Sequence, residues 1–362
     1  MKKIIFGIII LFGIQSCNSV DDSNPNDLLK NYIDYGFNKS YEKRHELIST
    51  DSKKICSLGE YLNYYEKPDS LTPINNVLLS IKELQAGKNY PSYKRFRTKT
   101  ESIMENNDTL KYLSYWTLKN ENNHWRVVWW GNILQQSEKK YNNGDFDGTI
   151  KLCEKIIKLD PYAAVAYSKI GWCYYRDQSK SLNKRKELML KNFKYTISLE
   201  PDIPDHYNSL ASYYSIINIS ELQIENFKKA IKLSYNEKQR SYLYANMSGV
   251  YLFNNNIKEA FLNIKKAVSL DSTSSFNWFK YGVVLMFQKK NNEAKIKFEK
   301  AIELPPMENA LQFGLFASYA QICYEEKDLE SAKTYILKAL ELNPSDKWAI
   351  SLYNKITKEK TQ

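Results

Sequence analysis

One short phrase recurs along the second half of the chain. AIKLS, AVSLD, AIELP and ALELN set Ala230, Ala267, Ala301 and Ala339 in the same surroundings, and TISLE and IIKLD set Thr196 and Ile156 in weaker copies. The successive gaps are 40, 34, 37, 34 and 38 residues. A repeat of this period calls for a stack of similar units, each burying its apolar side against its neighbours, rather than one globular core. Residues 274–306 show the unit most plainly. Two amphipathic helices are expected there, joined by the polar turn Lys289-Lys290-Asn291-Asn292. Trp278, Tyr281, Gly282 and Leu285 fall at i, i+3, i+4 and i+7 on the first helix. Ala294, Phe298 and Ala301 make a small, large, small stripe on the second. Small residues let helices approach closely and large ones fill the gaps. Pro306 stops the second helix because it cannot continue the hydrogen-bond ladder.

This unit resembles the tetratricopeptide repeat (TPR), whose pattern is W-x2-L-G-x2-Y, then A-x3-F, then a proline, with a period of about 34 residues. The large slot before each small residue holds Phe227, Ile264, Phe298 and Ile336, with Phe193 and Cys153 in the early copies. About six repeats are expected over residues 131–344. The first two depart most: Met189 and Thr196 replace small residues, and RDQSKSLNKRKE reads as an insertion between helices. Residues 345–362 read as a capping helix, with Trp348, Leu352 and Ile356 covering the last repeat.

The resemblance implies a right-handed superhelix whose first helices line a concave, peptide-binding face. Its groove slots fall on Trp172, Tyr175, Arg176, Asn208, Tyr242, Asn246, Phe253, Phe276, Phe279, Lys280 and Phe287. The family's Lys/Asn clamp for a terminal carboxylate is missing. Its slots hold Ser168 and Trp172, Asn208 and Ser212, Ala245 and Gly249, Phe279 and Val283. An aromatic groove takes its place, and aromatic anchors are the usual hot spots of an interface. Lys280 and Arg176 favour a ligand of some acidic character, and Asn208 and Asn246 suit its backbone.

The chain opens with a basic start, an apolar run over residues 4–14 and small residues before Cys17. The run is shorter than the roughly 20 residues that span a bilayer, and fits a secretory signal. Ile14-Gln15-Ser16-Cys17 resembles the bacterial lipoprotein box. That resemblance implies removal of residues 1–16 and acylation of Cys17 (diacylglycerol on the thiol, palmitate or a similar chain on the amine). Residues 17–26 then read as a polar tether, and Asp21-Asp22 is similar to the acidic export signals of some surface lipoproteins. The expected location is the cell envelope, anchored to a membrane, with the outer membrane favoured, on its periplasmic or outer side.

Residues 27–130 break the rhythm. Helices are expected over 27–37, 41–48 and 57–65, the last with Ser57 as N-cap and Glu60 closing a capping box. The period then changes to two, giving strands over 77–84, 93–101, 110–119 and 124–130. Residues 120–123 are read as a four-residue hairpin loop, and Trp125, Val127 and Trp129 as one strand face. Helices followed by an antiparallel sheet ending in W-x-V resemble the NTF2-like (cystatin-like) fold, whose cone serves ligand binding, catalysis or partner binding in different members. Here the titratable candidates are His45, Asp51 and His124, with no evident nucleophile–base pairing.

The chain has 52 Lys and Arg against 41 Asp and Glu, a net +11 that falls to +9 without Lys2 and Lys3. With an export signal, this balance reads as a solvated surface and not a nucleic-acid site. No HExxH, G-x-S-x-G, P-loop or GxGxxG precedes a helix, and Cys56, Cys153, Cys173 and Cys323 lack metal spacing. Buried thiols are expected, with a Cys153–Cys173 disulfide as the lesser alternative. The sequence reading is thus a membrane-anchored scaffold without catalytic, metal or cofactor site, holding a segment of an envelope protein in the TPR groove. A ligand-binding or enzymatic NTF2-like cone and a glycan-uptake lipoprotein are the other readings.

Overall fold

The computed structural model describes residues 20–65, 73–104 and 109–359. The leader and Cys17 lie outside them. The chain divides into two compact units: Met1–Lys139 with Glu154–Ala163, and Lys140–Cys153 with Ala164–Gln362.

In the first unit, helices α1 (Pro25–Phe37), α2 (Tyr41–Glu46), α3 (Thr50–Ile55) and α4 (Leu58–Tyr65) precede four strands: β1 (Pro73–Leu84), β2 (Tyr93–Met104), β3 (Thr109–Glu121) and β4 (His124–Val127). The strands form one antiparallel sheet in chain order. Leu28, Leu29, Tyr32 and Ile33 of α1 are buried in one core with Phe96 of β2 and Leu118 of β3. The expected capping box is present: Glu60 N donates to Ser57 Oγ (3.3 Å), and Ser57 N donates to Glu60 Oε2 (2.8 Å).

Three expectations are corrected here. The hairpin over 120–123 is not a four-residue loop. β3 runs on to Glu121, and the turn is Asn122-Asn123 at φ 55° and 67°, the pair of left-handed residues that a two-residue hairpin turn requires. Helix α3 was not foreseen, because six residues are too few to show a period; Ser49 Oγ caps it by accepting from Ser52 N (3.2 Å). Finally, the segment read as tether is fastened from Asp22 onward. Its carbonyl accepts from Trp125 N (2.8 Å), its carboxylate accepts from Arg126, and α1 already begins at Pro25 behind the Asn24 cap.

The remaining helices are α5 (Gly131–Asn142), α6 (Phe146–Leu159), α7 (Ala164–Arg176), α8 (Leu182–Leu199), α9 (Pro204–Ile216), α10 (Ser220–Leu233), α11 (Glu237–Phe253), α12 (Ile257–Leu270), α13 (Ser275–Phe287), α14 (Asn291–Glu303), α15 (Asn309–Glu325), α16 (Leu329–Leu342) and α17 (Lys347–Glu359). From α7 to α16 they pack as successive helix pairs, and α17 packs on α16. The repeated alanines 230, 267, 301 and 339 are all buried. A left-handed residue closes the turn of most pairs: Gly144, Asn218, Asn255, Lys289 and Lys327, at φ between 55° and 79°.

The irregular gaps have a simple origin. Helices α11 and α15 have 17 residues where α9 and α13 have 13, and α8 has 18 where α10 and α12 have 14. Four extra residues are about one helical turn, so the apolar face returns to phase. The insertion expected between α7 and α8 is therefore largely helix.

Candidate functional site

First helices of neighbouring repeats touch one another: α7 with α9, α11 with α13, and α13 with α15. On α11, Tyr242, Asn246, Gly249 and Phe253 are spaced i, i+4, i+7 and i+11, one stripe of a helix. On α13, Phe276, Lys280, Val283 and Phe287 repeat that spacing 34 residues later. The two stripes pair in register. The Tyr242 and Phe276 rings lie 5.5 Å apart at one end. At the other, Phe253 and Phe287 are 75% and 55% exposed. Exposed phenylalanines thus stand at equivalent places of adjacent repeats, apolar surface that the described residues of the array leave largely uncovered.

Beside these stripes, next to Phe253, lies a cleft of about 290 Å³. Asn246, Gly249, Phe253 and Lys280 line it with Ser215 and Gln223, the last on α10. The Lys280 ammonium lies 5.4 Å from the Phe276 ring centroid and 5.9 Å from that of Phe279. Burial alone holds its pKa below the usual lysine value, and among the described residues no carboxylate pairs with it. Gly249 leaves the space beside it: a Cβ there would meet only Lys280 Nζ, at 4.0 Å.

The other groove candidates are dispersed. Trp172 lines a separate hollow of about 320 Å³ with Tyr141, Val165, Ser168 and Lys169. Its Nε1 donates to Ser209 Oγ (3.1 Å), and its ring meets Phe193 and the exposed Tyr175. Arg176 is stacked over Tyr141 (5.1 Å) and Phe146 (5.8 Å). Asn208 is half-buried, and its carbonyl accepts from Ser212 Oγ (3.1 Å). Phe279 is a correction. At 7% exposure it belongs to the core against Phe298 and Gly314, because it lies one position off the Phe276–Lys280 stripe, on the side facing α14 and α15. Ser215 and Gln223 were missed; they come from the preceding repeat, and nothing in their local sequence marks them.

In the first unit the titratable candidates do not converge. His124 Nδ1 lies 2.6 Å from Asp22 Oδ1 at an exposed position. His45 Nε2 is 3.2 Å from the Cys56 carbonyl, with its ring against Tyr61. Asp51 pairs with Lys119 (2.6 Å), and this pairing holds its carboxyl below the usual range. Tyr32, Tyr61 and Trp129 fill the interior, with the Tyr32 and Tyr61 hydroxyls 3.0 Å apart.

Comparison with known proteins bears on the helical unit. The family model for the tetratricopeptide repeat matches residues 277–306 and 314–346. Human Protein O-mannosyl-transferase TMTC3 is 26% identical over 236 residues, covering 60% of this chain, which spans about a quarter (24%) of that relative's length. Among solved structures, one from the APC/C hetero-tetramer Cut9–Hcn1 superposes with a TM-score of 0.52 at 14% identity, over 62% of this chain and 42% of that chain. Pseudomonas aeruginosa PilF gives 0.49 at 13% identity, over 63% and 96%. The chain therefore carries tetratricopeptide repeats in a mostly helical, TPR-like solenoid, preceded in sequence by a small α+β unit.

Proposed function

We propose that this protein is a non-catalytic adaptor of the bacterial cell envelope, holding a segment of a partner protein along the first helices of its repeats. The observation that carries the reading is the paired stripe on α11 and α13. Tyr242 stands exposed at one end of these stripes and Phe253 and Phe287 at the other, with a polar cleft lined by Phe253, Asn246 and Lys280 beside them, in helices whose own core is already filled by Leu285, Phe298 and their neighbours. A preformed groove loses little backbone entropy when a segment docks. In this reading Tyr242, Phe253, Phe276 and Phe287 supply apolar contact and Asn246 meets the ligand backbone. Trp172, Tyr175, Arg176 and Asn208 would extend the surface toward earlier repeats.

The anchor belongs to the same proposal. Cys17 after an apolar run supports a lipid-modified N-terminus, and several acyl chains, at about 0.8 kcal/mol per buried methylene, hold a protein at a membrane. The helix-then-sheet order of the first unit supports an NTF2-like fold, and its aromatic-filled interior favours a structural or partner-binding role over a small-molecule cone. Among the described residues no helix is long and apolar enough to cross a membrane.

Two experiments test this. Intact mass spectrometry of the mature protein should give a chain beginning at acylated Cys17; an unmodified N-terminus elsewhere contradicts the anchor. Envelope proteins retained by the wild type should be lost from a Tyr242→Ala/Phe253→Ala variant of unchanged helical content. Equal retention contradicts the groove.

A further inference from the structure

We propose that the Lys280 cleft is a subsite for a carboxylate, supplied by an acidic side chain inside the bound segment; this rests on the groove reading above. Lysine is a costly residue to desolvate without a partner. Lys280 is held among Phe276, Phe279 and Gly249, its ammonium lacks a carboxylate among the described residues, and burial already disfavours its charged form. Two other partly buried lysines of the array have carboxylate partners: Lys295 pairs with Glu326 (3.2 Å) and Lys180 with Asp177 (2.5 Å). Lys280 also faces a cleft whose other polar groups, among them Asn246, Ser215 and Gln223, are neutral and carry donors. A carboxylate placed there would accept from the ammonium and from one or two of these donors. A cation or an apolar group would leave the ammonium unanswered.

The aromatic flanks assign the source of the carboxylate. Tyr242 and Phe276 stand at one end of the stripes, Phe253 and Phe287 at the other. Tyr242 and Phe253 are eleven residues apart on α11, about 16 Å of helix, which about five extended residues would span. A ligand touching both ends while its carboxylate meets Lys280 has chain on both sides of the acidic residue. That describes an interior Asp or Glu flanked by apolar residues, and not a chain terminus.

The test is a selection on the full chain with two displayed random-peptide libraries, one internal with no free end and one with a free C-terminus, against wild type and Lys280→Met. The wild type should enrich internal peptides with Asp or Glu between apolar residues. Lys280→Met should keep the apolar preference and lose the acidic one, and a selected peptide should bind it about 10- to 100-fold more weakly, the worth of a charge-assisted hydrogen bond. Apolar enrichment without an acidic preference overturns this subsite and leaves the groove. An acidic preference that survives in Lys280→Met overturns the role of Lys280. Enrichment only of free C-termini overturns the assignment to a side chain. No enrichment in either library overturns the subsite and the groove together.

Discussion

A methyl group on Gly282 would lie 2.3 Å from Cε1 of Phe298, the buried ring of the paired helix. Gly171 and Phe193 stand in the same relation three repeats earlier, at 2.4 Å. In these two repeats the ring of the second helix thus sits on the backbone of the first, and the missing side chain sets how closely the helices approach. Gly282→Ala should lower stability by up to about 2 kcal/mol, since an overpacking cost of about 1–3 kcal/mol outweighs the roughly 1 kcal/mol that alanine gains in helix propensity. Gly249→Ala, with only Lys280 Nζ nearby, should raise stability by up to about 1 kcal/mol. Urea midpoints of the two variants check this; equal shifts would contradict the packing account.

Asn277 ties two repeats together. Its Nδ2 donates to Ser241 Oγ (2.6 Å) and to the Asp271 carbonyl (2.9 Å), while Ser241 Oγ donates to the Ala267 carbonyl (2.8 Å). Ser241, Asn277 and Ala267 are buried between α11, α12 and α13, and the bond to Asp271 is half-buried. Asn277→Ala should cost about 1–3 kcal/mol by removing the amide that bonds both the Ser241 hydroxyl and the Asp271 carbonyl. Thermal unfolding followed by circular dichroism would show it, and an unchanged midpoint would mean the network contributes nothing net.

Lys280 gives a pH dependence of defined sign. Its folded pKa lies below 10.5, so between that lowered value and 10.5 the unfolded chain binds more protons than the folded one. Stability relative to Lys280→Met should therefore rise with pH through that window, as the desolvated charge is shed. Binding of an acidic segment should move the opposite way and weaken as the ammonium deprotonates. Parallel unfolding and binding titrations separate the two; a binding constant flat across the window contradicts the carboxylate subsite.

Cys56, Cys153, Cys173 and Cys323 are buried thiols and form no disulfide, so the alternative Cys153–Cys173 bond is absent. Burial pushes Cys56 and Cys173 up to about 12 and Cys323 up to about 11. Native protein at mildly alkaline pH should resist alkylation at all four, and urea should expose all four. Mass spectrometry of the iodoacetamide-treated protein would report this, and rapid labelling of any of them in the native state would contradict its burial.

The helical array was legible because burial of one small and one large residue per repeat imposes a phase that composition cannot hide. Ala267 with Ile264, and Ala301 with Phe298, are completely or almost completely buried, as their spacing implies. Ser57 and Glu60 were legible because a capping box is local. What failed was tertiary or short. Helix α3 is too brief for a period, and Asn122-Asn123 became a tight turn only because its flanking residues pair. Phe279 was read into the groove from its slot, yet a shift of one position rotates a side chain by about 100° around a helix, enough to turn it into the core. Asp22 looked like a solvated tether residue because its partners, Trp125 and Arg126, lie a hundred residues away. The isolation of Lys280 could not be read either, since it depends on which carboxylates fail to arrive.

The central claim is that a partner segment lies along the stripes of α11 and α13. A photo-crosslinking residue placed at Phe253 or Phe287, and separately at the exposed Leu262 of α12 or Ile296 of α14, tests it in living cells of the source organism. The account predicts crosslinks to one envelope protein from positions 253 and 287 and none from 262 and 296, with mass spectrometry locating an acidic residue within the crosslinked segment. Crosslinks confined to 262 and 296 would place the partner on the second helices and contradict it.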